Sequence, residues 1–358
     1  MTKKLLPKDL PKYFCFKPWN EVYSHFNTIG PCCVNYNFYD GSFDSYLQSE
    51  ELKSLRKEFL IGGKPTSCSA CWKAEDAKIN SVRQLDKNFS KNLNRISISL
   101  SNKCNFKCMM CNPEDSSAWA NDPKACSIRG MASTYSNPQF DKIDWIISQA
   151  KKQKITLTVM GGEPFICDEY LYLLNLIEQN NLYESIYLVM TTNLSVLSYK
   201  GVDHIDHLKR FKDVDVYASF DGVGTVGEYI RTGFSAKKFQ HNLEACLDLV
   251  NYFSTTIQIY NIFNLPKIFE YAESYGISVN YNFLVDPDFL SVYVLEKVDR
   301  KRVLDYYDSV NFFNPIADCL KQEIFIPKKQ QFLNYTTQLD SLWNRNFSVA
   351  IPELKQIL

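Results

Sequence analysis

Three cysteines, Cys104, Cys108 and Cys111, lie in the short segment SNKCNFKCMMC, with three residues between the first two and two between the last two. A loop this short can turn all three sulfur atoms toward one point, where thiolates bind iron or zinc. Three protein ligands would leave one iron of a four-iron cluster without a side chain, and an incomplete ligand set leaves room for chemistry. The alternative is a zinc site that also uses Cys68 and Cys71.

The other cysteines fall into two groups. Five lie in the first eighty residues, and thiolate ligation of a metal is the main interpretation for them as well: Cys15, Cys32, Cys33, Cys68 and Cys71. Four stand alone and are expected to be small buried apolar residues: Cys126, Cys167, Cys246 and Cys319. The chain shows no secretory segment, so we expect a cytoplasmic protein with reduced thiols rather than disulfides.

Length and composition set wide limits on the function. The chain has 358 residues, of which 45% are hydrophobic and 22% charged, so it can form roughly two packed domains. Forty basic and forty acidic residues cancel, which argues against a nucleic acid as the main partner. No run of about 18 apolar residues occurs, so no membrane span is expected.

The elements that must position the triad begin near residue 95, where short apolar strands alternate with amphipathic helices. The predicted strands are Ile96–Leu100, Ile155–Met160, Ile186–Met190, Val214–Phe220, Thr256–Ile262 and Val279–Leu284. The predicted helices are Phe140–Lys152, Glu169–Glu178, Lys237–Val250, Leu265–Tyr275 and Asp299–Phe312. This alternation predicts an α/β fold with a parallel sheet, either a partial barrel or a doubly wound open sheet, with the site at the carboxyl ends of the strands.

The first ninety residues differ from the rest because they are rich in aromatic residues and turn formers. Asn27–Gly30 is predicted to be a hairpin bend, and Glu50–Leu60 a helix. Aliphatic residues are few here, so a metal would help to stabilise a unit of this size.

Polar residues follow several of the predicted strands. Gly161 and Gly162 would let a ligand approach the backbone, and Glu163 could accept hydrogen bonds from an ammonium group. Ser219 could bond a ribose or carboxylate oxygen, and Arg231 could pair with a carboxylate. Their shared position after successive strands indicates one site.

The triad, the Gly-Gly-Glu-Pro segment and the polar groups after successive strands resemble the radical SAM superfamily, over roughly Arg95 to Leu284. The resemblance implies a partial (β/α)6 TIM-like barrel at residues 91–290. In it the triad would hold a 4Fe-4S cluster whose fourth iron chelates S-adenosylmethionine (SAM). It also implies reductive cleavage of SAM to a 5′-deoxyadenosyl radical that abstracts hydrogen from a substrate, with an electron donor such as a ferredoxin or flavodoxin.

The resemblance also assigns SAM contacts. Gly161, Gly162 and Glu163 would meet the methionyl ammonium, and Ser219 and Arg231 the ribose hydroxyls and the methionyl carboxylate. Two more residues complete the expected set: Asn193 at the rim and Leu284 near the adenine. Four titratable residues are expected to be structural rather than a general acid or base: Asp221, Tyr229, Cys167 and His204.

The first ninety residues resemble the twitch type of the SPASM/twitch auxiliary domains, although those domains usually follow the barrel. The matching segments are Cys15 with Pro18-Trp19, Gly30-Pro31-Cys32-Cys33, and Cys68-Ser69-Ala70-Cys71-Trp72 before Glu75. This implies a second 4Fe-4S cluster on Cys15, Cys32, Cys68 and Cys71. Adjacent cysteines on a strand point to opposite faces, so only one of Cys32 and Cys33 is expected to be a ligand, and Cys32 is favoured because it follows the proline. A structural zinc on the same four sulfurs is the alternative.

Residues 291–358 are expected to be a helical and irregular extension that caps the barrel. Relatives with such auxiliary domains often modify peptides or proteins, so a peptide is the expected substrate. The alternatives are an enzyme acting on a small metabolite, and a non-enzymatic iron–sulfur electron carrier or zinc-stapled interaction protein.

Overall fold

The computed structural model describes residues 10–26, 28–35, 37–76, 80–86 and 92–356. Predictions that involve the other residues, including Asn27 in the hairpin bend, both ends of the predicted domain 1–90 and the last two residues of 291–358, lie outside the described residues. The strands are β1 (Glu21–His25), β2 (Thr28–Gly30), β3 (Tyr39–Asp40), β4 (Arg95–Ser99), β5 (Lys107–Cys108), β6 (Ile155–Met160), β7 (Ile186–Thr192), β8 (Ser198–Tyr199), β9 (Val202–Asp203), β10 (Asp213–Ser219), β11 (Arg231–Thr232), β12 (Val250–Ile257) and β13 (Ser278–Phe283).

The helices lie mainly between these strands and after the last one. They are α1 (Lys17–Asn20), α2 (Phe43–Leu47), α3 (Glu50–Leu60), α4 (Ser69–Asp76), α5 (Val82–Leu85), α6 (Ser117–Ala120), α7 (Pro123–Arg129), α8 (Phe140–Ala150), α9 (Asp168–Gln179), α10 (His204–Leu208), α11 (Thr225–Ile230), α12 (Ala236–Ala245), α13 (Leu265–Ser274), α14 (Lys297–Ser309), α15 (Ile316–Leu320), α16 (Lys329–Trp343), α17 (Phe347–Ala350) and α18 (Pro352–Lys355). Short 3-10 turns lie at Thr66–Cys68, Pro164–Ile166, Ile259–Asn261, Asp288–Leu290 and Val292–Val294.

Nine strands form one sheet in the order β13-β12-β10-β7-β6-β4-β1-β2-β3. The strands from β13 to β1 pair in parallel, and β2 and β3 are antiparallel additions at the far edge. The six predicted strands lie side by side in chain order from β4 to β13. A doubly wound sheet would reverse this order at a switch point. The molecule is therefore a mixed α/β fold with the strand order of a partial TIM-like barrel, and the doubly wound alternative is wrong.

One predicted strand is misplaced. The prediction set it at Thr256–Ile262, whereas β12 spans Val250–Ile257, and the preceding helix, predicted to reach Val250, ends at Ala245. Ile259 and Ile262 are fully buried in and beside the 3-10 turn that follows β12. A short apolar run is as typical of a buried turn as of a strand. Here the prediction takes the apolar residues of the turn for the strand, so the predicted strand begins six residues after the observed one.

The two faces of the sheet differ in chemistry. On one face Leu157, Leu188 and Phe253 are fully buried in one core with Ile143 of α8 and Leu173 of α9. The opposite face carries half-buried, mostly hydroxyl-bearing side chains at alternate positions: Thr158, Thr191, Tyr217, Ser219, Ser254 and Thr256. The interior of a closed barrel is filled by bulky branched residues, and a parallel sheet covered on both sides is apolar on both. The polar face is therefore the open interior of the partial barrel.

The N-terminal residues divide between two cores. β1 pairs in parallel with β4, so Val22 and Ile29 belong to the core of the large sheet. Phe14, Phe59 and Trp72 form a second, smaller core together with Cys15 and Cys71. The predicted helix at Glu50–Leu60 is confirmed as α3, whereas Thr28–Gly30 is part of strand β2 rather than a bend. The predicted domain boundary after residue 90 stays a prediction. Strands β1 to β3, before this boundary, and β4, after it, belong to the same sheet.

The C-terminal helices pack against the loop that carries the triad. Tyr335 of α16 donates a hydrogen bond to the carbonyl of Met109 at 2.8 Å. Trp343 donates to Asp122 at 2.9 Å. Helix α16 thus packs against the cysteine loop and the helix that follows it. None of the helices within the described ranges is long and apolar enough to cross a membrane.

Candidate functional site

The triad lies in the loop that leaves the carboxyl end of β4. Cys104 is half-buried in the loop, Cys108 ends β5 with 8% of its surface exposed, and Cys111 follows one tight turn later, where its amide donates to the carbonyl of Cys108 at 3.0 Å. All three are free thiols. Burial raises the pKa of Cys104 to about 12 and raises the pKa of Cys108 and Cys111, because a buried thiolate is poorly solvated. A metal centre that shares the negative charge would remove this cost.

Two glycines hold the loop against β6. The amide of Gly162 donates to the carbonyl of Ser101 at 2.7 Å, and that of Glu163 to the carbonyl of Lys103 at 2.8 Å. A Cβ at Gly162 would lie 2.3 Å from the Lys103 carbonyl oxygen, and one at Gly161 would lie 2.7 Å from that of Ser101. The structure therefore places both glycines against the backbone that leads into the triad, and the predicted contact with a SAM ammonium stays a prediction.

Glu163 is buried beneath the same loop, with 1% of its surface exposed. One carboxylate oxygen accepts bonds from the Thr192 hydroxyl at 2.7 Å and the Phe165 amide at 3.1 Å, and the other accepts one from the Asn193 amide at 2.6 Å. Burial nevertheless raises the pKa of Glu163 to about 7. A cation beside this carboxylate would favour its charged form.

Asn193 joins the end of β7 to the cysteine loop. Its side-chain amide donates to the Asn105 side-chain oxygen at 3.0 Å, and Asn105 donates in turn to the Ser195 hydroxyl at 2.8 Å. Both hydrogen bonds involve Asn105, which directly follows Cys104 in the chain. The structure thus brings the predicted rim residue Asn193 into the network that orients the triad.

Arg231 lies beside the middle cysteine. It begins β11, which pairs with β5 so that Arg231 faces Cys108 across the ladder. One guanidinium nitrogen lies 3.8 Å from the Cys108 sulfur, and another lies 2.7 Å from the Asp221 carboxylate. Its Nε is buried and has no hydrogen-bond partner among the described residues. Asp221, expected to be structural, is thus in direct ion-pair contact with a predicted site residue.

The remaining predicted SAM contacts lie at the same edge but farther from the loop. Ser219 ends β10, two residues before Asp221, and Leu284 is buried directly after β13. Within residues 92–356 the Ser219 hydroxyl makes no hydrogen bond to the cysteine loop, and the Leu284 side chain offers only an apolar surface. Their predicted roles in binding ribose and adenine stay predictions.

Sequence reasoning missed Gln258, which directly follows β12. Its side chain is fully buried, its Nε2 lies 3.6 Å from the Met110 sulfur, and its Oε1 has no partner in the described part of the chain. A buried amide oxygen without a partner beside Met110 is a ready acceptor for a ligand. The misplaced fifth strand hid this residue, because it put Gln258 inside a strand instead of at its carboxyl end.

The residues present at this edge fit a thiolate-bound cluster with a ligand beside it. The cysteine loop carries one buried and two half-buried thiols, and beside it lie the Arg231 guanidinium and the unpartnered side-chain oxygen of Gln258, both buried. No group of three or more His, Cys, Asp or Glu side chains in the described ranges has the close spacing that a single metal ion needs.

A second set of cysteines surrounds a cavity in the N-terminal core. The thiols that line this small cavity are those of Cys15, Cys32, Cys68 and Cys71. Cys33 is exposed and is absent from that lining. Cys68 and Cys71 therefore lie with Cys15 and Cys32, whereas the zinc alternative would combine them with the triad.

Cations lie at the wall of the same cavity. Lys17 and Arg83 line it, and Arg83 is held by a salt bridge to Glu75 at 2.6 Å. Asn35 donates a hydrogen bond to the Cys68 sulfur at 3.4 Å. These groups would stabilise negative charge on the four sulfurs.

Comparison with known proteins gives one family match. Residues 98–270 match the family model described as the radical SAM superfamily, and no curated protein matches the chain. Among solved structures, Streptococcus suis SuiB bound to the precursor peptide SuiA is 17% identical with a TM-score of 0.42, covering 77% of this chain and 53% of SuiB. Native anSMEcpe with bound AdoMet and the Cp18Cys peptide is 16% identical with a TM-score of 0.42, covering 61% of each chain.

This chain spans little more than half the length of SuiB, so these likenesses describe part of that protein. The family match covers β4 to α13, which includes the cysteine loop, Glu163 and Arg231. The match to the radical SAM superfamily model thus falls on the part of the chain that positions the candidate site.

Proposed function

We propose that this chain is a radical SAM enzyme that binds a 4Fe-4S cluster on Cys104, Cys108 and Cys111 and uses SAM to abstract hydrogen from a substrate. The observation that carries the proposal is that the loop of the three cysteines meets two buried charged residues at one edge of the sheet, Glu163 and Arg231. When bound and reduced, such a cluster supplies the electron that cleaves SAM to methionine and a 5′-deoxyadenosyl radical.

The chain's own residues position the ligand and protect it from water. Glu163 offers a buried carboxylate to the methionyl ammonium, and the free Nε of Arg231 points to an acceptor such as the methionyl carboxylate. Gly161, Gly162, Asn193, Ser219 and Leu284 complete the proposed SAM site. The electron would come from a low-potential donor such as a ferredoxin or flavodoxin.

We propose a peptide or protein side chain as the substrate. The support is the polar interior face of the sheet, because hydroxyl groups can both donate and accept and so match the alternating N–H and C=O groups of a peptide. Tyr217 and Tyr252 add stacked rings with centroids 4.7 Å apart at the same face. SuiB and anSMEcpe were solved with peptides, and the proposal here stands on the interior face rather than on them.

We also propose a second 4Fe-4S cluster in the N-terminal cavity, on Cys15, Cys32, Cys68 and Cys71, in a twitch-type auxiliary unit. The support is that these four thiols line one cavity with two cations at its wall. A zinc ion on the same sulfurs predicts a colourless site, and iron analysis separates the two.

Anaerobic reconstitution tests the main proposal. The wild-type chain should bind iron and sulfide and release 5′-deoxyadenosine when given SAM and a strong reductant. Cys108→Ala should release none, and Cys246→Ala, which removes an equally buried thiol far along the chain, should behave as wild type. Absence of 5′-deoxyadenosine from the iron-loaded wild type across several reductants would overturn the proposal.

Mass spectrometry tests the substrate. Candidate peptides encoded beside this chain should change mass only with SAM and reductant present. Thr191→Val, which removes one hydroxyl from the interior face, should raise KM for the peptide and leave the iron content unchanged. Turnover that responds to a small metabolite and to no peptide would refute the peptide proposal.

A further inference from the structure

The ion pair between Arg231 and Asp221 is buried at the triad. Asp221 has 1% of its surface exposed and Arg231 has 8%. The guanidinium divides its two terminal nitrogens between the Asp221 carboxylate, at 2.7 Å, and the Cys108 sulfur, at 3.8 Å. One cation is therefore shared between a carboxylate and a cluster-binding thiol.

Both partners are held by the fold. Arg231 is fixed opposite Cys108 by the β5–β11 ladder, which the Met109 amide extends with a 2.8 Å bond to the Ile230 carbonyl. Asp221 is fixed from the other side, since its second carboxylate oxygen accepts a hydrogen bond from the Thr256 amide at 2.7 Å. The positions of the two charges relative to Cys108 are thus set by three different strands.

We propose that Asp221 is a positioning residue that, through Arg231, sets the reduction potential of the cluster at the triad. This inference rests on the proposed function. Reduction adds one negative charge to the cluster, and the Arg231 cation stabilises that charge through the Cys108 sulfur. Asp221 opposes the effect, because its own negative charge offsets part of the guanidinium field. Water cannot screen these charges at a buried site, so removing either one should be measurable.

Two single substitutions have opposite expected effects. Asp221→Asn keeps the shape and the acceptor for Thr256 but removes the negative charge, so the cluster should become easier to reduce. The expected change is about tenfold in the ratio of reduced to oxidised cluster at a fixed potential, or about 59 mV for one electron. Arg231→Gln should shift the ratio the other way. The double variant, which removes both charges, should lie between the two.

The readout is a redox titration followed by electron paramagnetic resonance, without SAM. The signal of the triad cluster is identified by its loss in Cys104→Ala, so the auxiliary site does not confuse the assignment. Asp299→Asn is the matched control, since Asp299 is also a buried ion-paired carboxylate, paired with Arg302 at 3.3 Å in α14. Its potential should equal that of wild type.

Arg231→Lys keeps the result interpretable if Asp221→Asn fails to retain iron. It preserves the charge but loses the planar fork, so its potential should stay closer to wild type than that of Arg231→Gln. Equal potentials in Arg231→Lys and Arg231→Gln, or no shift in an iron-loaded Asp221→Asn, would overturn the inference and leave the proposed function intact. A wild-type chain without any triad cluster would instead refute the proposed function.

Discussion

The carboxylate of Glu163 accepts a hydrogen bond from the backbone amide of Asn193 at 2.6 Å, so one buried acid joins the carboxyl ends of β6 and β7. Burial raises the pKa of this acid to about 7, above its unfolded value of about 4.3, and the folded chain therefore binds the proton more tightly. The stability contributed by the neutral form is complete below about pH 4.3 and is lost as the pH rises through 7.

Glu163→Gln should remove this pH dependence. Relative to the variant, the wild type should lose about 3 kcal/mol of unfolding free energy between pH 4 and pH 8, because only the wild type must bury a charge at the higher pH. Urea unfolding of both chains across that range measures the difference. Parallel pH profiles would show that Glu163 does not titrate in this range.

SAM binding should have the opposite dependence on pH. The ammonium of SAM needs the charged carboxylate, so the Kd of the iron-loaded wild type should rise roughly tenfold for each pH unit below about 7. Glu163→Gln should bind SAM more weakly above pH 7 and show a flat profile. Equilibrium binding at pH 6 and pH 8 tests both statements, and a flat wild-type profile would contradict them.

Gly162→Ala should detach the cysteine loop from β6. The new Cβ would lie 2.3 Å from the Lys103 carbonyl oxygen, and no side-chain rotation can separate a Cβ from a backbone atom. We expect a loss of about 3 kcal/mol and poor retention of iron at the triad. Gly276→Ala is the control, because its added Cβ meets no atom within 4 Å and costs only the strain of a φ of +68°. Equal stability losses in the two variants would contradict the close-approach argument.

Tyr335→Phe should weaken the support that α16 gives to the triad. The substitution leaves the buried Met109 carbonyl without its 2.8 Å donor and should cost about 1 to 3 kcal/mol. Iron should also be lost faster to a chelator. Tyr306→Phe in α14 is the matched control, since none of the described residues hydrogen-bonds its hydroxyl, and it should match wild type in both measurements.

Cys32→Ala and Cys33→Ala form a matched pair for the auxiliary site. Cys32 lines the cavity and Cys33 is exposed, so only the first substitution should lower the iron content, from about eight irons per chain toward about four. Iron analysis of anaerobically reconstituted chains provides the measurement. The reverse result would make Cys33 the ligand.

Local spacing made the triad and the strand order predictable. Cys104, Cys108 and Cys111 are close in the chain, so any compact loop brings them together. Strands such as β6 alternate apolar and polar residues over most of their length. The contacts that shape the site are not local. Tyr335 reaches Met109 across 226 residues, and no periodicity in either segment announces the contact.

Arg231 illustrates the same limit. An arginine indicates a negatively charged partner. Three partners were conceivable, namely a ligand carboxylate, the Asp221 side chain and the Cys108 sulfur, and the pairing of β5 with β11 decides which of them Arg231 meets. Each of these strands has two residues, which is too short for a hydrophobic pattern to reveal. Only the structure shows that the guanidinium contacts both the Asp221 carboxylate and the Cys108 sulfur.

The parallel pairing of β1 with β4 has a consequence for electron flow. Cys15 precedes β1 and the triad follows β4, so the N-terminal cavity and the triad lie at opposite ends of two adjacent strands of five residues each. At about 3.3 Å per residue, the strands alone hold the two sites roughly 17 Å apart. The proposed second cluster would then exchange electrons with the triad through the sheet rather than bind SAM directly.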